Sequence, residues 1–151
     1  MSDLAPVPAT AALMPPQEDR LLAAVSHLSF FTGFWLVAPI AAYVIKRKES
    51  RFVAFHALQA ALLQVLFGAS TIVGAIVFVV LGVIAGLSHS PALVAVITIV
   101  PILGLAAAGL ALCAVHAVAA YAAWQGRSWT IPIAGRLAAG IMGADEGAAK
   151  G

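Results

Sequence analysis

The sequence predicts an all-α integral membrane protein, a helical bundle of three crossings. The first segment either crosses or is re-entrant, and the second and third form a long antiparallel hairpin. Three observations carry this reading. No Asp, Glu, Lys or Arg occurs between Phe52 and Gly126. The 151 residues are 63% hydrophobic and 9% charged, with a mean hydropathy of +1.05, whereas soluble domains carry about 25% charged residues. The apolar residues also fall into three blocks, each long enough for a hydrocarbon core about 30 Å thick. Water-facing helices need polar residues along one face, so lipid is the solvent that suits this chain.

Met1 to Gln17 is rich in Pro and Ala, with Pro6, Pro8, Pro15 and Pro16. It lacks the basic start and short apolar core of a cleaved signal peptide and is expected to be a disordered leader to a membrane domain over 18–143. The first apolar segment, Leu21 to Ile45, then acts as an uncleaved insertion signal. It is long enough for one tilted span, but Gly33 and Pro39 lie inside it, and proline removes a helix hydrogen bond. Ser26, His27, Ser29 and Thr32 make its first half polar. A straight span is the simpler expectation, and a broken, re-entrant segment the alternative.

Lys46-Arg47-Lys48-Glu49-Ser50-Arg51 is the dense charge cluster of the chain. The positive-inside rule assigns it to the cytoplasm, and Lys46, Arg47, Lys48 and Arg51 are the residues that set topology or meet anionic lipid headgroups.

Phe52 to Leu87 follows. A continuous helix of that length reaches about 54 Å, well beyond the hydrocarbon core. His56, Gln59, Ala60 and Gln64 share one face of its first part, which places that part near the interface or under protein cover. Ser88-His89-Ser90-Pro91 is an uncharged turn, with Pro91 suited to the first turn of the next helix. Ala92 to Trp124 is again longer than one crossing needs, and Pro101 is expected to kink it. Two long neighbours joined by a tight turn make an antiparallel hairpin, and their surplus ends emerge together on the cytoplasmic side. Trp124 and Trp129 suit an interfacial belt. Ile131 to Met142 forms a short interfacial helix, and 144–151 a flexible tail. With three crossings the turn at Ser88–Pro91 is outside and the C-terminus inside.

Composition also excludes functions. The net charge of +2 forms no basic stripe, so nucleic acid is not a partner. No HExxH, GxSxG, paired carboxylates or phosphate loop is present, and the acidic residues lie outside the apolar segments, so the chain is read as no enzyme. A coupled transporter would show a midplane acid or an internal repeat, and neither occurs. The single cysteine, Cys113, allows no intrachain disulfide or paired-cysteine metal motif, and reads as a small buried apolar residue.

Two sets of residues remain. Gly82 and Gly86 are spaced GxxxG, and Gly104 with Ala108, then Gly109 with Cys113, repeat small-xxx-small spacing, which lets helix backbones approach in lipid. They serve either the internal hairpin or a homo-oligomer. His27, His56 and His116 lie in or beside apolar segments, where ionisable groups are costly. His56 and His116, both toward the cytoplasmic end of the hairpin, are the pair that would ligate a haem iron; otherwise they hydrogen-bond neighbouring helices or interfacial water. No other cofactor and no metal is expected. Gln59, Gln64, Ser70, Thr71 and Thr98 are expected to make interhelical hydrogen bonds.

The order of motifs carries a resemblance. Arg20-Leu-Leu-Ala-Ala-Val-Ser-His27-Leu-Ser29 is followed by Ala38-Pro39 running to Tyr43-Val-Ile-Lys46. Arg51-Phe-Val-Ala-Phe-His56-Ala-Leu-Gln59-Ala60 comes next, and the series closes with Ala122-Ala-Trp-Gln-Gly126-Arg-Ser-Trp129-Thr-Ile-Pro132. Over about Arg20 to Leu137 this resembles the bacterial family of small membrane proteins related to the Tic-twenty component of chloroplast import, with MamF-like magnetosome membrane proteins among its relatives. Leu58 departs from the family pattern, which often has Lys there. The resemblance implies three or four membrane segments and no enzymatic activity, and for the magnetosome branch a role in crystal growth. That role is not carried over, because the loop here is Lys46-Arg47-Lys48 rather than acidic. The expected function is that of a non-catalytic scaffold or accessory subunit in the bacterial inner membrane, with lipid, other membrane proteins or further copies of itself as partners. The alternatives are a translocation or pore component and a haem-binding electron carrier.

Overall fold

The computed structural model describes residues 14–33 and 35–148, with side chains to Gly143. The expected leader lies largely outside the described residues. Five α-helices follow in order: α1 (Gln17–Leu28), α2 (Val37–Lys46), α3 (Arg51–Leu87), α4 (Pro91–Trp124) and α5 (Ala134–Ala148), with a 3-10 turn at Ser29–Thr32. No strand occurs among the described residues.

The hairpin is as long as its sequence requires. Ser50 caps α3 by accepting a hydrogen bond from Val53 N–H at 3.3 Å, and Ser90 caps α4 by accepting from Leu93 N–H at 3.4 Å, with Pro91 in the first turn. Both caps satisfy a helix-end N–H that has no partner within its own helix. His89, in the turn, takes a left-handed φ of 56°. The helix of α4 continues through Pro101. Both α3 and α4 are long and apolar enough to cross a membrane, and of their most apolar 18-residue windows only 6% and 0% is buried within the chain.

The first apolar segment is not one helix. It breaks into α1, the 3-10 turn and α2, of 12, 4 and 10 residues. The cause is Gly33, whose φ of 79° is left-handed and open to glycine at no steric cost. Pro39 was the expected kink, but it falls in the first turn of α2, where its missing N–H has no intrahelical partner to lose. The chain then doubles back: Glu18 at the start of α1 lies 3.8 Å from Lys46 at the end of α2.

The core sits at one end of the hairpin, which we call the charged end. Ala23 and Ala24 of α1 pack on Ala120 and Ala123 of α4 with Phe52 beside them, and Ala119 packs on Ile131 and Ala134. Alanine at these contacts lets four helices approach closely. α1 lies against α3 and α4, while α2 and α5 lie against α3. Beyond Gln64 on α3 and before Leu112 on α4 nearly every side chain is exposed. The surplus length of the hairpin is thus the part that the short helices cover.

Candidate functional site

Three of the sequence motifs meet at the charged end. From α3, Gln59 reaches the loop between α4 and α5. Its Nε2 donates to the Trp129 carbonyl at 3.0 Å, and its Oε1 accepts from Ile131 N–H at 2.9 Å. One turn earlier, His56 Nε2 donates to the Arg127 carbonyl at 3.2 Å. Phe-His-Ala-Leu-Gln on α3 therefore clamps the Gly-Arg-Ser-Trp-Thr-Ile loop through three hydrogen bonds. The approach is close enough that a Cβ on Gly135 would collide with Gln59 Oε1 and lie 2.6 Å from Thr130 Cγ2. Ile133, just before α5, is held at a φ of 70°, a conformation that strains a β-branched residue.

The third motif, His27-Leu-Ser29, closes the site from α1. Its imidazole is wholly buried, as are those of His56 and His116. His27 Nε2 lies 3.3 Å from His56 Nδ1. The His27 ring centroid is 5.5 Å from that of His56 and 5.7 Å from that of His116. Phe30 stacks on His116 at 4.7 Å, and Phe52 and Phe55 flank His56. Because His56 Nε2 is the donor to Arg127, its Nδ1 carries a lone pair aimed at His27. Six buried side-chain atoms among the described residues make no hydrogen bond by geometry: Arg20 Nε, His27 Nδ1, Nδ1 and Nε2 of His116, and Nε2 and Oε1 of Gln64. Among the described residues, no group of three or more His, Cys, Asp or Glu is placed to hold a metal ion.

His56 and His116 do belong to one cluster, but His27 lies against both rings, so a haem held between them would have to enter where His27 packs. Sequence reasoning set His27 aside if the first segment crosses; the break at Gly33 brings it in. Nothing short of the fold pointed to Gly135 or to the Arg127 and Trp129 carbonyls, although the spacing from Gly126 to Pro132 marked that loop.

The small residues stand elsewhere. A Cβ on Gly82, Gly86, Gly104 or Gly109 would meet nothing within 4 Å, so none of these four marks a close approach of α3 and α4 within the chain. Gly104 and Ala108 instead line an apolar groove of about 480 Å³ with Phe67, Gly74, Phe78 and Pro101. Ser70, Thr71 and Thr98, expected to link helices, bond to the carbonyls of Leu66, Phe67 and Val94 in their own helices.

The basic loop lies beside the site. Lys46 donates to Glu49 at 2.9 Å, and that bond raises its pKa above the ordinary lysine value. Arg47 and Lys48 are exposed. Arg51 lines a cavity of about 410 Å³ with Phe52, Phe55, Ser128, Thr130 and Met142.

No curated protein and no solved structure matches the chain. The MamF/MmsF family, described as the magnetosome magnetite crystal formation protein family, matches residues 18–138. The match shows the magnetosome side of the resemblance drawn from the motifs, not its chloroplast-import side. It runs from the first turn of α1 into α5 and takes in the three histidines, Gln59 and the clamped loop. The chain belongs to the MamF/MmsF family of magnetosome membrane proteins.

Proposed function

We propose that the chain is a non-catalytic membrane protein that serves as a scaffold or accessory subunit of a membrane complex, with its charged end and C-terminus in the cytoplasm. One observation carries this reading. The uncovered stretches of the hairpin, Val65–Leu87 and Pro91–Ala111, are about 34 Å and about 31 Å long at 1.5 Å per residue. Those lengths suit a hydrocarbon core of about 30 Å. On this reading α3 and α4 cross, and α1 and α2 form a re-entrant pair. Neither helix of the pair is long enough to span, and the ion pair between Glu18 and Lys46 supports a return to the entry side. α5 lies at the interface. Lys46, Arg47, Lys48 and Arg51 face lipid headgroups.

The family description concerns magnetite crystal formation. For this chain we read that as support given from within the membrane rather than contact with mineral, because its dense loop is basic. The clamp fixes the α4–α5 loop as a face on the cytoplasmic side, which suits docking of other membrane proteins.

Reporter fusions at Lys48, at His89 and at both termini test the topology. Cytoplasmic signals are expected everywhere except at His89; an exported N-terminus would restore a third crossing. Native purification in mild detergent is expected to yield the chain with other membrane proteins at fixed ratio. Ion conductance by the isolated chain in liposomes would replace the scaffold with a pore.

A further inference from the structure

The clamped α4–α5 loop forms one wall of the cavity of about 410 Å³ beside the basic loop. The clamp's three hydrogen bonds fall on Arg127, Trp129 and Ile131, the residues that alternate with Ser128 and Thr130. Ser128 and Thr130 both line the cavity, and no hydrogen bond within the described residues engages either hydroxyl. The first turns of α3 add the Arg51 guanidinium and the rings of Phe52 and Phe55. Ala139 and Met142, about one turn apart on α5, supply a third wall. Among the described residues the lining holds no carboxylate. Apolar walls with a few placed polar groups, in a volume of about 300–1,000 Å³, are the usual form of a small-molecule site.

We propose that this cavity binds the headgroup phosphate of one anionic phospholipid. The assignment rests on the reading that places the charged end at the cytoplasmic face of a membrane. A guanidinium meets two phosphate oxygens at once through its planar fork, and the two hydroxyls add donors for the remaining oxygens. A zwitterionic headgroup also carries a cation, and the lining offers that cation no carboxylate. Phe52, Phe55 and Met142 suit the glycerol and the first acyl methylenes, apolar surface that a soluble phosphate lacks. Lipid reaches this height on the α2 side. Ile40, Val44 and Ile45 are exposed there, up to Lys46, where α2 ends at the basic loop. Arg47 and Lys48, both exposed, draw anionic lipid toward this end. The clamp then has a purpose beyond stability. By holding the backbone on either side of Ser128 and Thr130, His56 and Gln59 act as positioning residues for the two hydroxyls.

The test uses the full chain in mild detergent, stripped of lipid, with phosphatidylglycerol or phosphatidylcholine added back. Binding is read by native mass spectrometry and by the thermal midpoint. One phosphatidylglycerol is expected per chain, bound at least about tenfold more tightly than phosphatidylcholine, and it should raise the midpoint as a ligand of the folded state does. Arg51→Gln is expected to lower phosphatidylglycerol affinity about tenfold or more, the loss of charge-assisted hydrogen bonds. Arg51→Lys keeps the charge without the fork and should fall between. Ser128→Ala combined with Thr130→Val should cost about three- to tenfold, with the methyl that Thr130 turns toward Gly135 retained. Arg136→Gln removes the same charge from an exposed position outside the cavity and should change affinity less than about twofold. All four positions are exposed, so the lipid-free midpoints should stay level. Equal affinity for the two lipids, or equal losses from Arg51→Gln and Arg136→Gln, overturns the proposal. Displacement of the lipid by inorganic phosphate at matching concentration overturns the lipid assignment and makes the ligand a soluble phosphate. Either failure leaves the scaffold reading standing, since the reporter fusions and the co-purified partners test that reading separately.

Discussion

The charged end and the turn half of the molecule use their polar residues and their glycines in opposite ways. At the charged end, Gln59 and His56 reach across to another element. In the turn half, Ser70, Thr71 and Thr98 bond only to the preceding turn of their own helix. Glycine shows the same contrast. Gly135 is enclosed by Gln59 and Thr130, whereas Gly82, Gly86, Gly104 and Gly109 face open space. A polar side chain surrounded by lipid satisfies itself locally, because any other partner must be brought to it. One surrounded by protein can be spent on holding a neighbouring element. The charged end is therefore where the chain determines its own tertiary structure, and the turn half is where its surroundings complete it.

Substitutions that cross this divide should differ in size. The largest effect is expected for Gly135→Val, which forces the new side chain into Gln59 and Thr130. Overpacking costs about 1–3 kcal/mol, and the loss of both Gln59 hydrogen bonds adds to it, so reversible unfolding in detergent should show a loss of about 3 kcal/mol or more. Gln59→Leu keeps the bulk but leaves the Trp129 carbonyl and Ile131 N–H unpaired; at about 1–3 kcal/mol for an unsatisfied buried group, a loss of about 2 kcal/mol should appear in the same assay. Ile133→Asn should act in the other direction. It relieves a left-handed β-branched residue, worth about 1 kcal/mol, at a side chain that is 66% exposed. The smallest effect is expected for Gly82→Ala combined with Gly86→Ala, within about 0.5 kcal/mol for the isolated chain. If that double variant dissociates an oligomer on native gels, the glycine face packs against a second copy and the contrast between the halves sharpens.

Much of the architecture was legible in the sequence because lipid solubility is written in composition. The uncharged run from Phe52 to Gly126 marked the hairpin, Ser88 to Pro91 marked its turn, and the excess length of both helices pointed to cover at one end. The first segment was harder, because a hydropathy pattern does not say whether a helix continues. Gly33 and Pro39 both suggested a break, and only a backbone trace shows that the glycine makes it while the proline begins the next helix. The site was half legible. His56, His116 and Gln59 stood out as polar residues in apolar surroundings, but their partners are backbone carbonyls of Arg127 and Trp129, which carry no side-chain signature. The small-residue spacing misled in one respect. Alanine and glycine recur throughout this chain, and the alanines that pack helices together, such as Ala23, Ala120 and Ala123, lie outside the GxxxG-like pairs.

The division of the hairpin is tested most directly by a photoactivatable probe carried on lipid acyl chains. The full chain is reconstituted in bilayers, and labelled peptides are mapped by mass spectrometry. Labelling is expected along Val65–Leu87 and Pro91–Ala111, with Val53–Gln64 and Leu112–Ala123 spared on their faces toward α1 and α5. Uniform labelling along both helices, or labelling at His56, Gln59 and His116, would contradict a closed protein core at the charged end.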